Sequence, residues 1–183
     1  MIAIVPYQET WPAEFKTIAA RLRAGLGPLA LRIDHIGSTA VPGLAAKDVI
    51  DVQVTVAALD PASAARIAAA MASLGYQQAE GIWRDHRPPG ASGPDDDWAK
   101  LFFRPPPGQR PTNTHVRALG RPNQRYPLLF RDYLRAHPAT AAAYAELKRR
   151  LAAHMPDTAT YAEVKDPAVD LIYLAAEAWQ ERG

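Results

Sequence analysis

The segment Val49 to Val56 alternates without interruption: Ile50, Val52, Val54 and Val56 are apolar, and Asp51, Gln53 and Thr55 between them are polar. Successive side chains of a strand point to opposite faces, so this pattern calls for a strand with one buried apolar face and one polar face. The flanking segments supply what can cover it. Thr10 is placed to cap a helix with Pro12 in its first turn, and Gly25, Gly27 and Pro28 stop that helix near Leu26. Asp60-Pro61 opens a second helix that runs to Leu74, with Gly75 at the position where a C-terminal glycine belongs.

Leu31 to Ile36, Tyr76 to Trp83, Lys100 to Arg104 and Thr114 to Leu119 read as further strands, and RPPGASGPDDD is too rich in Pro, Gly and Asp to be regular. From Asn123 onward the chain turns helical, in three pieces: YPLLFRDYLRAH, PATAAAYAELKRRLAAHM and a last one through Ala176. Pro167 is expected to break or kink the last, because the residue before a proline disfavours the α region. The order α, β, β, α, β, β, β, then α predicts an α/β (α+β) fold, a mixed β-sheet with flanking helices. The expected division is a single domain over 1–183, with a sheet-containing core at 1–122 and a C-terminal helical cap at 123–183.

Several function classes drop out on composition. A chain of 183 residues has room for one ordinary core, and 48% hydrophobic with 22% charged residues is the balance of a soluble globular protein. No apolar run approaches the roughly 20 residues that span a bilayer, and MIAIVPYQETW lacks a basic region followed by an apolar core. The absence of cysteine excludes disulfides and thiolate metal sites and makes the cytoplasm the default. A net charge of +2, with no basic tract interleaved with aromatics, argues against nucleic acid as partner. Oligomeric state leaves no mark in the sequence.

The chemistry-bearing residues cluster around HIGSTAVPGLAAKDVIDVQV, His35 to Val54. Gly37-Ser38 follows a strand directly, so backbone N–H groups and a hydroxyl can surround an anion such as a phosphate. Lys47 adds a cation, and the polar face of the next strand turns Asp51 toward the same region. The same residues also suit a plain turn and a strand aspartate with structural hydrogen bonds. His115 and Arg117 share a strand face and together can receive an anionic group. Tyr161 and Lys165, four apart, share a helical face. His35 and His115 are each open to a structural or an acid–base role, and Arg131-Asp132 to an internal ion pair or a substrate contact. Asp95-Asp96-Asp97 reads as a solvated loop, and LKRR (Leu147 to Arg150) as a solvated helix face.

HIGSTAVPGLAAKDVIDVQV resembles the signature of the GrpB family, a group assigned to the nucleotidyltransferase-like superfamily. THVRAL, LLFRDYLRAHP, YAELKRRLA and YAEVK resemble its later segments, so the likeness runs from Tyr7 to Trp179. Asp48 stands where the family usually has proline, and Asp166-Pro167 interrupts the stretch after Lys165. Members also occur as a domain appended to dephospho-coenzyme A kinase. Active nucleotidyltransferases of the superfamily follow a Gly-Ser turn with a strand carrying two carboxylates two residues apart, and a later strand adds a third. Period-two spacing aims such a pair at one Mg²⁺ site. By resemblance Gly37, Ser38 and Thr39 form the turn and Asp51 is the first carboxylate, but the second position is Gln53. The later strands carry Lys100 and Arg104, or His115 and Arg117, and no acid.

The resemblance therefore implies a nucleotide- or phosphometabolite-binding protein with a nucleotidyltransferase-like fold. A metal-dependent nucleotidyl or phosphoryl transfer would rest on Asp51 as metal ligand and on His115. Ser38 would hold phosphate, Lys47, Lys100, Arg117 and Lys165 would neutralise it, and Tyr161 would reach over the cleft. The implied ligand is a nucleotide or a coenzyme A intermediate, with Mg²⁺ as the implied cofactor. The alternative is a non-catalytic accessory or ligand-binding module linked to coenzyme A metabolism.

Overall fold

The computed structural model describes residues 2–182; Met1 and Gly183, which the expected domain span includes, lie outside the described residues. In chain order the elements are α1 (Trp11–Leu26), β1 (Arg32–Ile36), β2 (Ile50–Val56), α2 (Pro61–Ser73), β3 (Gln77–Gln78), β4 (Leu101–Arg104), β5 (Thr112–Ala118), α3 (Pro122–Ala136), α4 (Pro138–His154) and α5 (Thr158–Gln180). The strands form one mixed sheet in the order β1-β2-β5-β4-β3. Only the β2–β5 pairing is parallel; β1–β2, β5–β4 and β4–β3 are antiparallel.

The alternation in β2 does what its period demands. Ile50, Val52, Val54 and Val56 are each at most 2% exposed and pack with Trp11, Leu22 and Leu26 of α1 and Ile67 and Met71 of α2. Full burial of such side chains is worth about 1.5–3 kcal/mol each. The polar face is covered from the other side: Gln53 donates from Nε2 to the Gln124 carbonyl of α3 at 3.0 Å. A second apolar cluster joins Val41, Leu44 and Ala45, in the loop before β2, to Phe130 and Leu134 of α3 and to Ala141, Tyr144 and Ala145 of α4. The C-terminal helices therefore rest on the same loop that feeds β2.

Local signals behave as expected in most places. Asp60 caps α2 by accepting from the backbone N–H groups of Ala62 and Ser63, and Gly75 follows that helix at φ 81°. α1 begins after Thr10 with Pro12 in its first turn, although the Thr10 side chain makes no cap bond. Two expectations differ. The Tyr76–Trp83 strand shrinks to Gln77–Gln78, because the chain turns at Glu80-Gly81, with Gly81 at φ 73°, and regains the sheet only through a bridge from Arg84 to Ala99. Of the break or kink expected at Pro167, the break does not occur: α5 runs through it from Thr158 to Gln180.

Candidate functional site

Gly37 leaves β1 at φ 68° and ψ −169°, a region open in practice only to glycine, and Ser38–Ala40 follow as a single helical turn. A Cβ on Gly37 would overlap Asp51 Oδ2, so the bare glycine backbone is what lets the carboxylate sit against the turn. Two arginines of α3 fix this turn from outside. Arg131 donates to the His35 carbonyl at 2.9 Å, and Arg135 donates twice to the Ala40 carbonyl at 2.9 and 2.7 Å. Arg131 also pairs with its neighbour Asp132, so that couple is an internal ion pair that doubles as a backbone clamp. Gly37→Ala is expected to lower the melting temperature by roughly 2–12 °C, from about 1–3 kcal/mol of backbone strain plus the overlap. Gly43, at φ 77° with nothing near a built Cβ, is the control. Equal losses in melting scans of Gly37→Ala and Gly43→Ala would refute a specific cradle for Asp51.

Asp51 itself is half-buried at the floor of the cleft and accepts from Asn113 Nδ2 of β5 at 2.8 Å. Burial raises its pKa, opposed by that hydrogen bond and by the charges of Lys165, Arg117 and Lys148. Above it the bases converge. Lys148, in the middle of α4, is 3% exposed and donates to Ser38 Oγ at 2.9 Å and to the Ala45 carbonyl at 2.5 Å. Burial, with help from the nearby Lys165 charge, lowers its pKa to about 7. Lys47 places Nζ 3.9 Å from the centre of the Tyr161 ring, and burial followed by the Lys165 charge lowers its pKa too. Tyr161 is 2% exposed, and burial pushes its phenol up to about 12. Lys165 has only a 3.4 Å contact to Asp166 Oδ1.

Lys148 overturns the reading of LKRR as a solvated face. Its position repeats with Ala141, Tyr144, Ala145 and Leu151, all buried, so a lysine stands inside the inward stripe of the helix. That placement was the available signal, masked by Arg149 and Arg150, which do face solvent.

The other expected bases are already committed. Asp85, in the loop before β4, accepts from Lys100 at 2.7 Å, from Arg117 at 2.7 and 2.8 Å, and from Asn123 at 3.0 Å. Burial works to raise the Asp85 pKa, but Arg117 and Lys100 outweigh it and hold the carboxyl well below the usual range. Arg117 reaches on to Gln53 Oε1 at 2.8 Å. Gln53, in the position of a second carboxylate, thus holds an arginine. His115 turns Nδ1 to within 3.2 Å of Arg117 and packs its ring edgewise on Phe102. Burial, then the Arg117 and Lys100 charges, lowers its pKa well below that of a free histidine. Asp85 was missed because it sits in an irregular loop whose sequence announces no structure.

The remaining candidates have structural partners. His35 stacks on Phe15 and shares a 2.9 Å hydrogen bond with Thr39 Oγ1, and burial, followed by Arg135 and Arg131, lowers its pKa to about 4. Thr39 is 1% exposed, so its hydroxyl is held by that bond although it lines the cleft. Asp95 pairs with Arg84 and Arg87, and Asp97 with Arg121. Asp48 accepts from the buried Trp11 indole and pairs with Arg110, which anchors α1 to the start of β2. Among the described residues no group of three or more His, Asp or Glu side chains is arranged to hold a metal ion.

Gly37, Ser38, Thr39, Lys47, Asp51, Lys100, His115, Arg117, Tyr161 and Lys165 all line one cleft of about 530 Å³, roofed by Tyr144 and Lys148 of α4 and by α5. Five basic side chains (Lys47, Lys100, Arg117, Lys148, Lys165) face three carboxylates there (Asp51, Asp85, Asp166). A concave, base-rich site with one glycine-led turn can hold an anion and exclude water around it.

A family model described as GrpB protein matches residues 1–174. The chain is similar to a dephospho-CoA kinase of Mycolicibacterium paratuberculosis, 37% identical over 98% of this chain and 47% of that protein. It spans about half the length of the first curated relatives that it matches. Among solved structures, the conserved protein GrpB from Enterococcus faecalis superposes with a TM-score of 0.77 and 29% identity, covering 97% of this chain and 99% of that one. The Cid1 poly(U) polymerase with MgGTP bound superposes with a TM-score of 0.51 and 13% identity, over 79% of this chain and 43% of that one. No described helix is long and apolar enough to cross a membrane.

Proposed function

This chain belongs to the GrpB family and has a nucleotidyltransferase-like fold, and from that premise we propose that its cleft binds a phosphate-containing small molecule, a nucleotide or a coenzyme A intermediate. The observation that carries this is the buried Lys148 amino group held 2.9 Å from Ser38 Oγ, with Lys47 and Lys165 beside it. A protonated amine kept out of water among like charges is costly, and an anionic ligand relieves the cost. In this reading the Gly37-Ser38-Thr39 turn and Lys148 receive the phosphate, and Lys47 and Lys165 flank it. Tyr161 supplies an apolar wall and holds Lys47 in place. Lys100 and Arg117 act at longer range through charge, since Asp85 engages them directly. Asp51 and a neutral His115 offer hydrogen bonds to the rest of the ligand. The helices after residue 122 close one side of the site, as part of a single domain. The names of the kinase relatives support the coenzyme A option.

Mg²⁺-dependent transfer does not fit the donor set. Asp51 is the one carboxylate on β2, Gln53 Oε1 is taken by Arg117, Asp85 is wrapped by two cations and an amide, and Asp166, on α5, lies against Lys165. No second charged oxygen is left to neutralise a divalent ion on the β2 face. That arrangement favours the second reading, a ligand-binding accessory module, over a metal-dependent transferase.

Thermal-shift scans with nucleoside triphosphates and coenzyme A compounds test the binding. At about 100 times the dissociation constant a ligand should stabilise the fold by roughly 2.7 kcal/mol, a rise of roughly 5–10 °C. The rise should persist without Mg²⁺ and in Asp51→Asn, and shrink in Lys47→Ala. No shift with any phosphate compound removes the phosphate site; a shift that needs both Mg²⁺ and Asp51 restores the metal reading.

A further inference from the structure

A second polar pair reaches the same cleft through its histidine. His86, next to Asp85 in the loop before β4, is 47% exposed in its side chain and lines the cleft. Its Nε2 lies 2.8 Å from Asp170 Oδ2 of α5, whose side chain is only 7% exposed. The other oxygen, Oδ1, accepts from the Tyr126 hydroxyl of α3 at 3.2 Å. Burial, then the Asp170 charge, raises the Tyr126 pKa far above the usual phenol, so it stays a donor. A carboxylate only accepts, so in the neutral imidazole the proton on His86 Nε2 faces Asp170 and Nδ1 is the free acceptor. No described residue bonds Nδ1. A buried carboxylate fixed from both sides and spent on orienting an exposed imidazole is more than a loop needs to be tied down.

We propose that His86, oriented by Asp170, is a general base that activates water or an acceptor hydroxyl against a phosphoanhydride bound in this cleft, without a metal ion. The proposal rests on the phosphate-binding reading and adds chemistry to it. Ser38, Lys148, Lys165 and His86 all line the one cleft, so a polyphosphate anchored at the first three has the imidazole within the same cavity. The nucleophile gives its O–H proton to His86 Nδ1, and its oxygen pair forms the new O–P bond. The P–O bond to the departing phosphate breaks with its pair left on that oxygen, where Lys148 and Lys165 stabilise the charge. The imidazolium then returns its proton to solvent. Asp170 is a positioning residue: it fixes the tautomer and supports the charged ring.

The experiment follows ATP, GTP, CTP, UTP, dephospho-coenzyme A and coenzyme A by ³¹P NMR in EDTA, alongside thermal shifts with the same nucleotides. Wild type should release phosphate or diphosphate from at least one nucleotide that shifts its melting. His86→Gln, at an exposed position, should lower kcat by about 100- to 10,000-fold with KM and the thermal shift unchanged. Asp170→Asn should lower kcat with KM held; should that variant not fold, His86→Ala takes its place. Turnover by His86→Gln at the wild-type rate, or a thermal shift with no wild-type turnover, overturns the general base and leaves the binding site standing. Absence of any thermal shift overturns the phosphate reading and this proposal with it.

Discussion

Asp85→Ala should lower the melting temperature by roughly 6–20 °C. The carboxylate is 16% exposed, and its partners Arg117 and Lys100 are 5% and 9% exposed in their side chains. Removing the acid strands two buried cations, and breaking such a pair costs about 3–5 kcal/mol. In a chain of 183 residues each kcal/mol is worth about 2–4 °C. The loss should be largest at neutral pH. Asp85 has a depressed pKa in the folded state, so its stabilisation is fully present above the ordinary aspartate pKa and disappears as pH falls toward the lower folded value. Asp85→Asn should therefore flatten the acid side of the stability profile. Arg117→Met in the Asp85→Ala background should recover part of the loss, because one uncompensated charge goes with it. A melting point within about 2 °C of wild type for Asp85→Ala would mean that the network is solvated and bears little of the fold.

The second large effect separates stability from binding. Lys148→Met should weaken phosphate-ligand affinity by roughly 10- to 100-fold, the loss expected for a charge-assisted hydrogen bond worth about 1.5–3 kcal/mol. The ligand-free protein should melt at or above wild type at pH 7. Lys148 has a folded pKa near 7, whereas the unfolded lysine keeps its ordinary value. Between those two values the unfolded chain binds the extra proton, so wild-type stability climbs as pH rises through that window and Lys148→Met removes the climb. Ligand affinity runs the other way. The protonated amine attracts phosphate, so wild-type affinity should fall as pH rises past 7, while Lys148→Arg, always charged, should hold its affinity. Calorimetric titration from pH 6 to pH 9 on the three proteins reads this directly, and parallel profiles for wild type and Lys148→Arg would sink the assignment.

The contrast between these two residues explains what could be read ahead of the structure. β2 was legible because alternation is a local property: Asp51 had to leave the core face, and Gly37-Ser38 had to meet it once β1 and β2 paired antiparallel with Ile36 opposite Asp51. The helices were legible from their caps and glycines. Lys148 was hidden because its partners, Ser38 and Ala45, lie more than 100 residues away, and LKRR carries the charge of an exposed turn. Asp85 and His86 were hidden because an irregular loop has no period to say which way a side chain points. Their partners, Lys100 just before β4, Arg117 of β5, Asn123 of α3 and Asp170 of α5, emerge only from the three-dimensional arrangement. Lys100 and Arg117 line the cleft, but a sequence cannot show that Asp85 already pairs with their charge.

The bond from Arg117 to Gln53 also sets what any redesign of this site would have to change. Placing an aspartate at position 53 alone would put a new anion against Arg117, which would neutralise it before any metal ion could. Removing Arg117 first would strand Asp85 beside Lys100 and cost the fold. Paired metal-binding acids on β2 would therefore demand changes at positions 53, 85 and 117 together, so the three side chains act as one interlocked unit in which no member can change alone without a cost to the others.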